Sequence, residues 1–186
     1  MKTAMRFHTL ETRIEGLVLV QPKMITDDRG FFFESYRRNE FAELGIDVDF
    51  VQDNHSRSVR GTIRALHFQI SGQAKLIRVA RGAIYDVAVD LRRSSPTYGE
   101  YEAFELSDAN AQQIFIPVGF AHGFCVTSEQ ADVVYKVSSY YDPETERGIA
   151  WDDSDIGIPW PAREALVSHR DRRNPRLAEI AAELPW

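Results

Sequence analysis

Cys125 is the only cysteine in 186 residues. One thiol closes no intrachain disulfide and builds no thiolate metal cage, which fits a reducing compartment. Long apolar runs are missing as well, since no stretch approaches the ~18 apolar residues that a membrane-spanning helix requires. Residues 1–16 are interrupted by Arg6, Glu11, Arg13 and Glu15, which leaves no apolar centre for a secretory signal. Positive charge is in deficit: 28 acidic against 22 basic side chains give a formal net charge of −6, so the surface repels polyanions and lacks the basic footprint of a nucleic-acid binder. These deficits lead us to expect a cytoplasmic protein with neither nucleic acid nor membrane as partner, in which any anionic ligand is met by a local group of arginines. The sequence also contains no phosphate-binding glycine loop, dinucleotide fingerprint or nucleophile elbow, so nothing in it points to kinase chemistry, hydride transfer or serine hydrolysis.

With 44% apolar and 27% charged residues, 11 glycines and 8 prolines, the composition is that of one globular domain over residues 1–186. Short runs rich in Val, Ile, Phe and Tyr, bounded by Gly, Pro, Asp or Asn, recur along most of it, the pattern of an all-β sandwich or barrel. Strands are predicted over 17–21, 31–36, 48–52, 63–69, 75–80, 83–91, 101–106, 113–117, 123–127 and 133–141. Arg81-Gly82 joins two of them as a tight turn. Along 83–91, Ala83, Tyr85, Val87, Val89 and Leu91 share one face and Ile84, Asp86, Ala88 and Asp90 the other, so one face is expected in the core and the other partly polar. Phe41 and Leu44 suggest a short helix ending at Gly45. A C-terminal helix is expected from Asn174 as its cap, Pro175 in its first turn, and the apolar stripe Leu177, Ile180, Ala181, Leu184.

The five histidines can be weighed singly. His8, in a frayed N-terminal region, His55 and His169 read as solvated. His67 lies inside an apolar strand, where a charged imidazole is costly unless paired; it is either a hydrogen-bonded core histidine or a catalytic one. His122, flanked by Gly119 and Gly123, sits near backbone that a ligand could approach. There is no His-x-His or His-x-x-x-His spacing, so metal ligation is only a secondary alternative and no metal is assigned. Arg57, Arg60, Arg64, Arg78 and Arg81 crowd one third of the chain, and Arg64 and Arg78 fall within apolar strands, where a guanidinium calls for a carboxylate or phosphate partner in a cavity. Lys75, at a strand start, is either an edge charge or a cation over a cavity. Tyr135 and Tyr141 share strand parity. An imidazole, a cation and a phenol together would make a kit for moving a proton beside a carbonyl.

Read as a set, five segments are similar to the dTDP-4-dehydrorhamnose 3,5-epimerase family: Asp27-Asp28-Arg29-Gly30-Phe31-Phe32-Phe33-Glu34-Ser35, Phe50-Val51-Gln52-Asp53-Asn54-His55-Ser56, Arg64-Ala65-Leu66-His67-Phe68-Gln69, Asp86-Val87-Ala88-Val89-Asp90-Leu91-Arg92, and Ile116-Pro117-Val118-Gly119-Phe120-Ala121-His122-Gly123-Phe124. The match continues in order through Tyr140-Tyr141, Glu146, Trp151-Asp152-Asp153, Ile158-Pro159-Trp160-Pro161 and Asp171. The resemblance implies a cupin-like jelly-roll barrel with short peripheral and C-terminal helices, working as a homodimer on a dTDP-4-keto-6-deoxyhexose without metal or organic cofactor. It implies His67 as the base, oriented by Asp171, Tyr135 as the acid on the opposite face of the sugar, and Lys75 as stabiliser of the enolate oxygen. Arg29, Glu34, Gln52, Asn54 and Arg64 would hold the nucleotide, with Phe31 near the base, and His122, Tyr141, Glu146 and Arg170 would complete the pocket. Ala65 stands where the family commonly has glycine, the segment from Gln69 to Lys75 is shorter than usual, and His169-Arg170 replaces a frequent Glu-Lys-like pair. These departures leave open an enzyme that inverts only C3 or only C5, or a jelly roll that binds the nucleotide sugar without turnover.

Overall fold

The computed structural model describes residues 6–186. Two antiparallel sheets face one another. The first is ordered β1-β2-β10-β7-β12-β5, from Phe7–Leu10 (β1), Val18–Pro22 (β2), Gln113–Ile116 (β10), Lys75–Arg81 (β7), Gln130–Val137 (β12) and Gln52–Val59 (β5). The second is ordered β13-β6-β11-β8-β9, from Glu146–Gly148 (β13), Thr62–Gln69 (β6), Phe120–Val126 (β11), Ala83–Asp90 (β8) and Tyr101–Ser107 (β9), with Leu166–Val167 (β14) parallel to β6. Ile25–Asp27 (β3) and Gly30–Phe32 (β4) form a separate two-stranded hairpin. This is the expected all-β jelly roll, with helices confined to Arg38–Glu43 (α1), Leu177–Ile180 (α2) and short 3-10 turns.

The space between the sheets is filled by Ile77, Val79, Ile84, Ala88, Ile114, Ile116, Phe124 and Val133, all buried. A second apolar layer lies outside the β6-β11-β8 sheet, where Val87, Val89, Leu91, Ala121 and Cys125 meet Leu177, Ile180 and Leu184 of the C-terminal segment. The β8 strand is therefore covered on both faces. Asp86 and Asp90 are fully buried rather than facing water, and each carries its own hydrogen-bond partners. A third cluster packs Phe41 of α1 and Ile46, just beyond the helix, on the outer face of the first sheet at Val20, Leu76 and Phe115.

Several elements differ from expectation for identifiable reasons. The strand predicted over 48–52 begins at Gln52 and runs to Val59, because its inward residues, Gln52, Asn54, Ser56 and Ser58, are polar and erase the apolar alternation. The strand predicted over 31–36 is only Gly30–Phe32, and its rings project into solvent, with Phe31 58% and Phe32 66% exposed. His8 is exposed but lies in β1 rather than in a frayed tail. The final helix is capped by Arg176, whose backbone N–H donates to the Glu179 carboxylate (2.7 Å); Asn174 instead ends the 3-10 turn Asp171–Arg173, and a Cβ on Gly148 would lie 2.3 Å from its amide nitrogen. The Arg81-Gly82 turn forms as expected, with Gly82 at φ +83° and the Gln130 carbonyl 2.1 Å from where a Cβ would stand.

Candidate active site

The site begins with a register shift. His122 of β11 pairs with His67 of β6, whereas Phe124, two residues on, pairs with Arg64, three residues back, so β6 carries a bulge. A bulge admits an extra residue and re-aims the side chains around it. Arg64 and His67 thereby share the inner face despite their opposite parity. Close approach of the two strands explains Gly123, because a Cβ there would sit 2.4 Å from Ala65 Cβ and 2.9 Å from the Arg64 carbonyl oxygen. The neighbour that Gly123 admits in the structure is thus the β6 backbone.

Around this bulge the predicted residues gather. His67 Nε2 lies 2.7 Å from Asp171 Oδ1, and its side chain keeps 26% of its surface accessible. With Nε2–H donating to the carboxylate, Nδ1 carries the free lone pair. Asp171 is buried at the start of its 3-10 turn. Burial pushes its carboxyl up, but hydrogen bonds from His67, the Ala65 backbone and Ser168 outweigh that and hold it below the usual range. The Lys75 ammonium donates to the His67 carbonyl oxygen at 3.4 Å. Burial lowers Lys75 from 10.5 to about 8, against the opposing pull of Glu146 and Asp86. At neutral pH it is still a cation, with two further N–H donors.

Tyr135 lies on the facing sheet, where β12 pairs with β7 and β5, and its ring packs against the inner core. Burial raises its phenol above 10, so it stays protonated at neutral pH. Tyr141 lies beyond the end of β12, so the shared parity expected for the two tyrosines does not apply. Its hydroxyl donates to Glu146 Oε2 at 2.9 Å, and Arg170 reaches the same oxygen at 2.5 Å. His122 Nε2 stands 2.8 Å from Asp86 Oδ2. Gln52 donates to Asn54 (2.9 Å) and accepts from the Tyr141 backbone N–H (3.0 Å), while Arg64 reaches across to Ser58 Oγ at 3.1 Å.

Three predicted residues lie elsewhere. Arg29 and Phe31 sit on the exposed β3-β4 hairpin, Arg29 paired with Asp27 at 2.5 Å. Glu34 pairs with Arg37 (2.7 Å) and Arg6 (3.5 Å). Of the two partners expected for Arg64 and Arg78, a carboxylate or a phosphate, neither residue has a carboxylate among the described residues. Arg78 points out of the barrel, into a cavity of about 200 Å³ lined also by Ser35, Asp53, Gln113 and Lys136. Arg57, for its part, is taken up by Asp132 at 2.7 Å. The arginine crowd of the sequence is thus dispersed, with Arg64 alone at the inner site. Among the described residues no three His, Cys, Asp or Glu side chains gather as a metal site, and no helix is long and apolar enough to cross a membrane. Asp86, aligned with the inner site, was legible in sequence only as a polar residue in an apolar strand.

An imidazole with one nitrogen fixed by a buried carboxylate, a neighbouring ammonium and a protonated phenol on the opposite wall can remove a carbon-bound proton beside a carbonyl and return another. Fold and site together define a jelly-roll carbohydrate epimerase. The family model for dTDP-4-dehydrorhamnose 3,5-epimerase matches residues 11–179. A dTDP-4-dehydrorhamnose 3,5-epimerase of Methanothermobacter thermautotrophicus is 48% identical over 93% of this chain and 96% of its own, and one of Pseudomonas aeruginosa is 50% identical over 89% and 93%. A dTDP-6-deoxy-D-glucose-3,5-epimerase from Legionella pneumophila, solved in complex with dTDP-4-keto-L-rhamnose, superposes with a TM-score of 0.93 at 44% identity, covering 96% of each chain. The chain belongs to the dTDP-4-dehydrorhamnose 3,5-epimerase family.

Proposed function

We propose that this chain inverts C3 and C5 of dTDP-4-dehydro-6-deoxy-D-glucose to give dTDP-4-dehydro-L-rhamnose. The reading is carried by the inward-facing His67, hydrogen-bonded to buried Asp171 at 2.7 Å with Lys75 against its backbone and Tyr135 on the opposite sheet. The C4 carbonyl acidifies the protons on both neighbouring carbons. His67 Nδ1 takes the proton, the C–H electron pair delocalises into an enolate on O4, and Lys75 stabilises that oxygen. Asp171 stabilises the imidazolium. Tyr135 then donates its proton to the opposite face of the same carbon, which inverts it; the phenolate is reprotonated from solvent and the imidazolium returns its proton to solvent, which restores both groups for the second carbon. Arg64, Gln52 and Asn54 hold the nucleotide arm, Arg64 through charge-assisted bonds to the diphosphate. Tyr141, Glu146, Arg170 and His122 line the remainder.

Arg29 and Phe31 can serve a nucleotide only away from their own barrel, so we place them in the site of a second copy, which makes the enzyme a homodimer. The exposed rings of Phe31 and Phe32 support this placement. Mixing a His67→Ala protein with an Arg29→Ala protein tests it: partial recovery of activity is expected, and recovery no greater than the sum of the two alone contradicts it. For the reaction itself, the substrate is incubated in D₂O and each carbon followed by NMR. Deuterium at C3 and C5 is expected. Exchange at one carbon alone makes the chain a mono-epimerase, and exchange at neither leaves a binding protein.

A further inference from the structure

A fully buried acid beneath the site is left over by this mechanism. Asp86 has no accessible surface, accepts from His122 Nε2 at 2.8 Å, and leaves its second oxygen, Oδ1, without a hydrogen-bond partner among the described residues. A buried carboxylate satisfied by one neutral N–H is expensive unless a nearby cation balances it. Among the described residues the cations on the inner face are Lys75 and Arg64, and the Asp86 charge acts on Lys75. Glu146 already holds Arg170 and Tyr141, and Asp171 holds His67. Those two carboxylates are taken, and Asp86 is the inner acid with no cation in contact with it among the described residues.

We propose that Asp86 is a positioning residue of the proton-transfer site, which fixes the His122 ring with Nε2–H turned to the core and sets its negative charge against the Lys75 ammonium that meets the enolate oxygen. The proposal rests on the epimerase reading above and adds a residue to it that touches no substrate. The groups that face Lys75 are Asp86 from β8, Glu146 from β13, His122 from β11 and His67 from β6, while β10 and β12 place Ile116 and Val137 opposite it in register. Glu146 and, after it, Asp86 favour the charged ammonium against burial, and Asp86 is the one with no arginine in contact. His122 is itself pushed below its ordinary value by burial, with the Lys75 and His67 charges adding to that effect against Asp86. It is neutral at pH 7, and its Nδ1 is left as the hydrogen-bond acceptor.

Asp86→Asn, which keeps the shape and removes the charge, tests the proposal. The alkaline limb of kcat/KM, set by Lys75, is expected to move down by about one pH unit. The variant then falls about tenfold further behind the wild type above that limb than below it. Binding of dTDP, which uses the other end of the site, stays unchanged. A uniform loss at every pH, or an unmoved limb, overturns the proposal. Should the variant fold poorly, the wild type gives the answer through ¹⁵N NMR of His122: a protonated Nε2 and a bare Nδ1 at pH 7 are expected, and an imidazolium or the Nδ1–H tautomer refutes the assignment. The NMR measurement needs no substrate, so it stands even where the wild type exchanges no deuterium and the epimerase reading fails.

Discussion

Lys75→Met makes the protein more stable and nearly inactive. Burial lowers the ammonium from 10.5 to about 8 even with Glu146 and Asp86 opposing it. That gap is worth about 3 kcal/mol against the folded state at pH 7. Two effects reduce the gain: the ammonium is only half-buried, and Met gives up the 3.4 Å hydrogen bond to the His67 carbonyl, worth about 1 kcal/mol. A net stabilisation of about 1–2 kcal/mol remains, or several degrees in Tm. The pH dependence is the sharper signature. Below pH 8 folded and unfolded chains both carry the Lys75 proton, so the penalty is complete. Between pH 8 and 10.5 the folded chain releases it first, wild-type stability rises, and the advantage of the variant closes. Urea unfolding followed by tryptophan fluorescence at pH 7 and 9.5 measures both quantities. Turnover, deprived of its oxyanion cation, drops about 10²–10³-fold. A variant less stable than the wild type at pH 7, or a difference that does not change with pH, refutes the reasoning.

Asp171→Asn keeps the shape of the dyad but no longer stabilises the imidazolium, so kcat is expected to fall about 10²–10⁴-fold with dTDP affinity retained, as stopped-flow turnover and calorimetry would show. A loss below tenfold would remove Asp171 from the mechanism. Gly123→Ala drives a methyl group to 2.4 Å from Ala65 Cβ and costs about 1–3 kcal/mol by urea denaturation. Adding Ala65→Gly returns only part of that, because the clash with the Arg64 carbonyl oxygen, at 2.9 Å, stays.

Most of the sheet framework was legible from apolar runs between turn residues, and β7, β8 and β9 lie within one residue of their predicted bounds. One failure has a plain physical cause: where the barrel wall turns polar inward, the apolar period disappears. β5 shows this most plainly, since Gln52, Asn54, Ser56 and Ser58 point inward. The converse error arose on β8, where Asp86 and Asp90 suggested a wet face although that face, shared with Ile84 and Ala88, packs between the two sheets and local partners bond both acids. At the site, the resemblance supplied residues that periodicity could not bring together. The bulge on β6 defeats parity counting between Arg64 and His67, and the end of β12 at Val137 separates Tyr135 from Tyr141. Clustering of arginines along the chain proved a poor guide, because strand alternation sends Arg78 outward and Arg64 inward.

The most direct measurement compares His67→Ala and Tyr135→Phe in D₂O with the 4-keto sugar nucleotide, reading deuterium incorporation and configuration at C3 and C5 separately. The account predicts that Tyr135→Phe still washes deuterium into the sugar but returns it to the face it left, while His67→Ala does neither. Undiminished inversion by Tyr135→Phe, or exchange by His67→Ala at the wild-type rate, would contradict it.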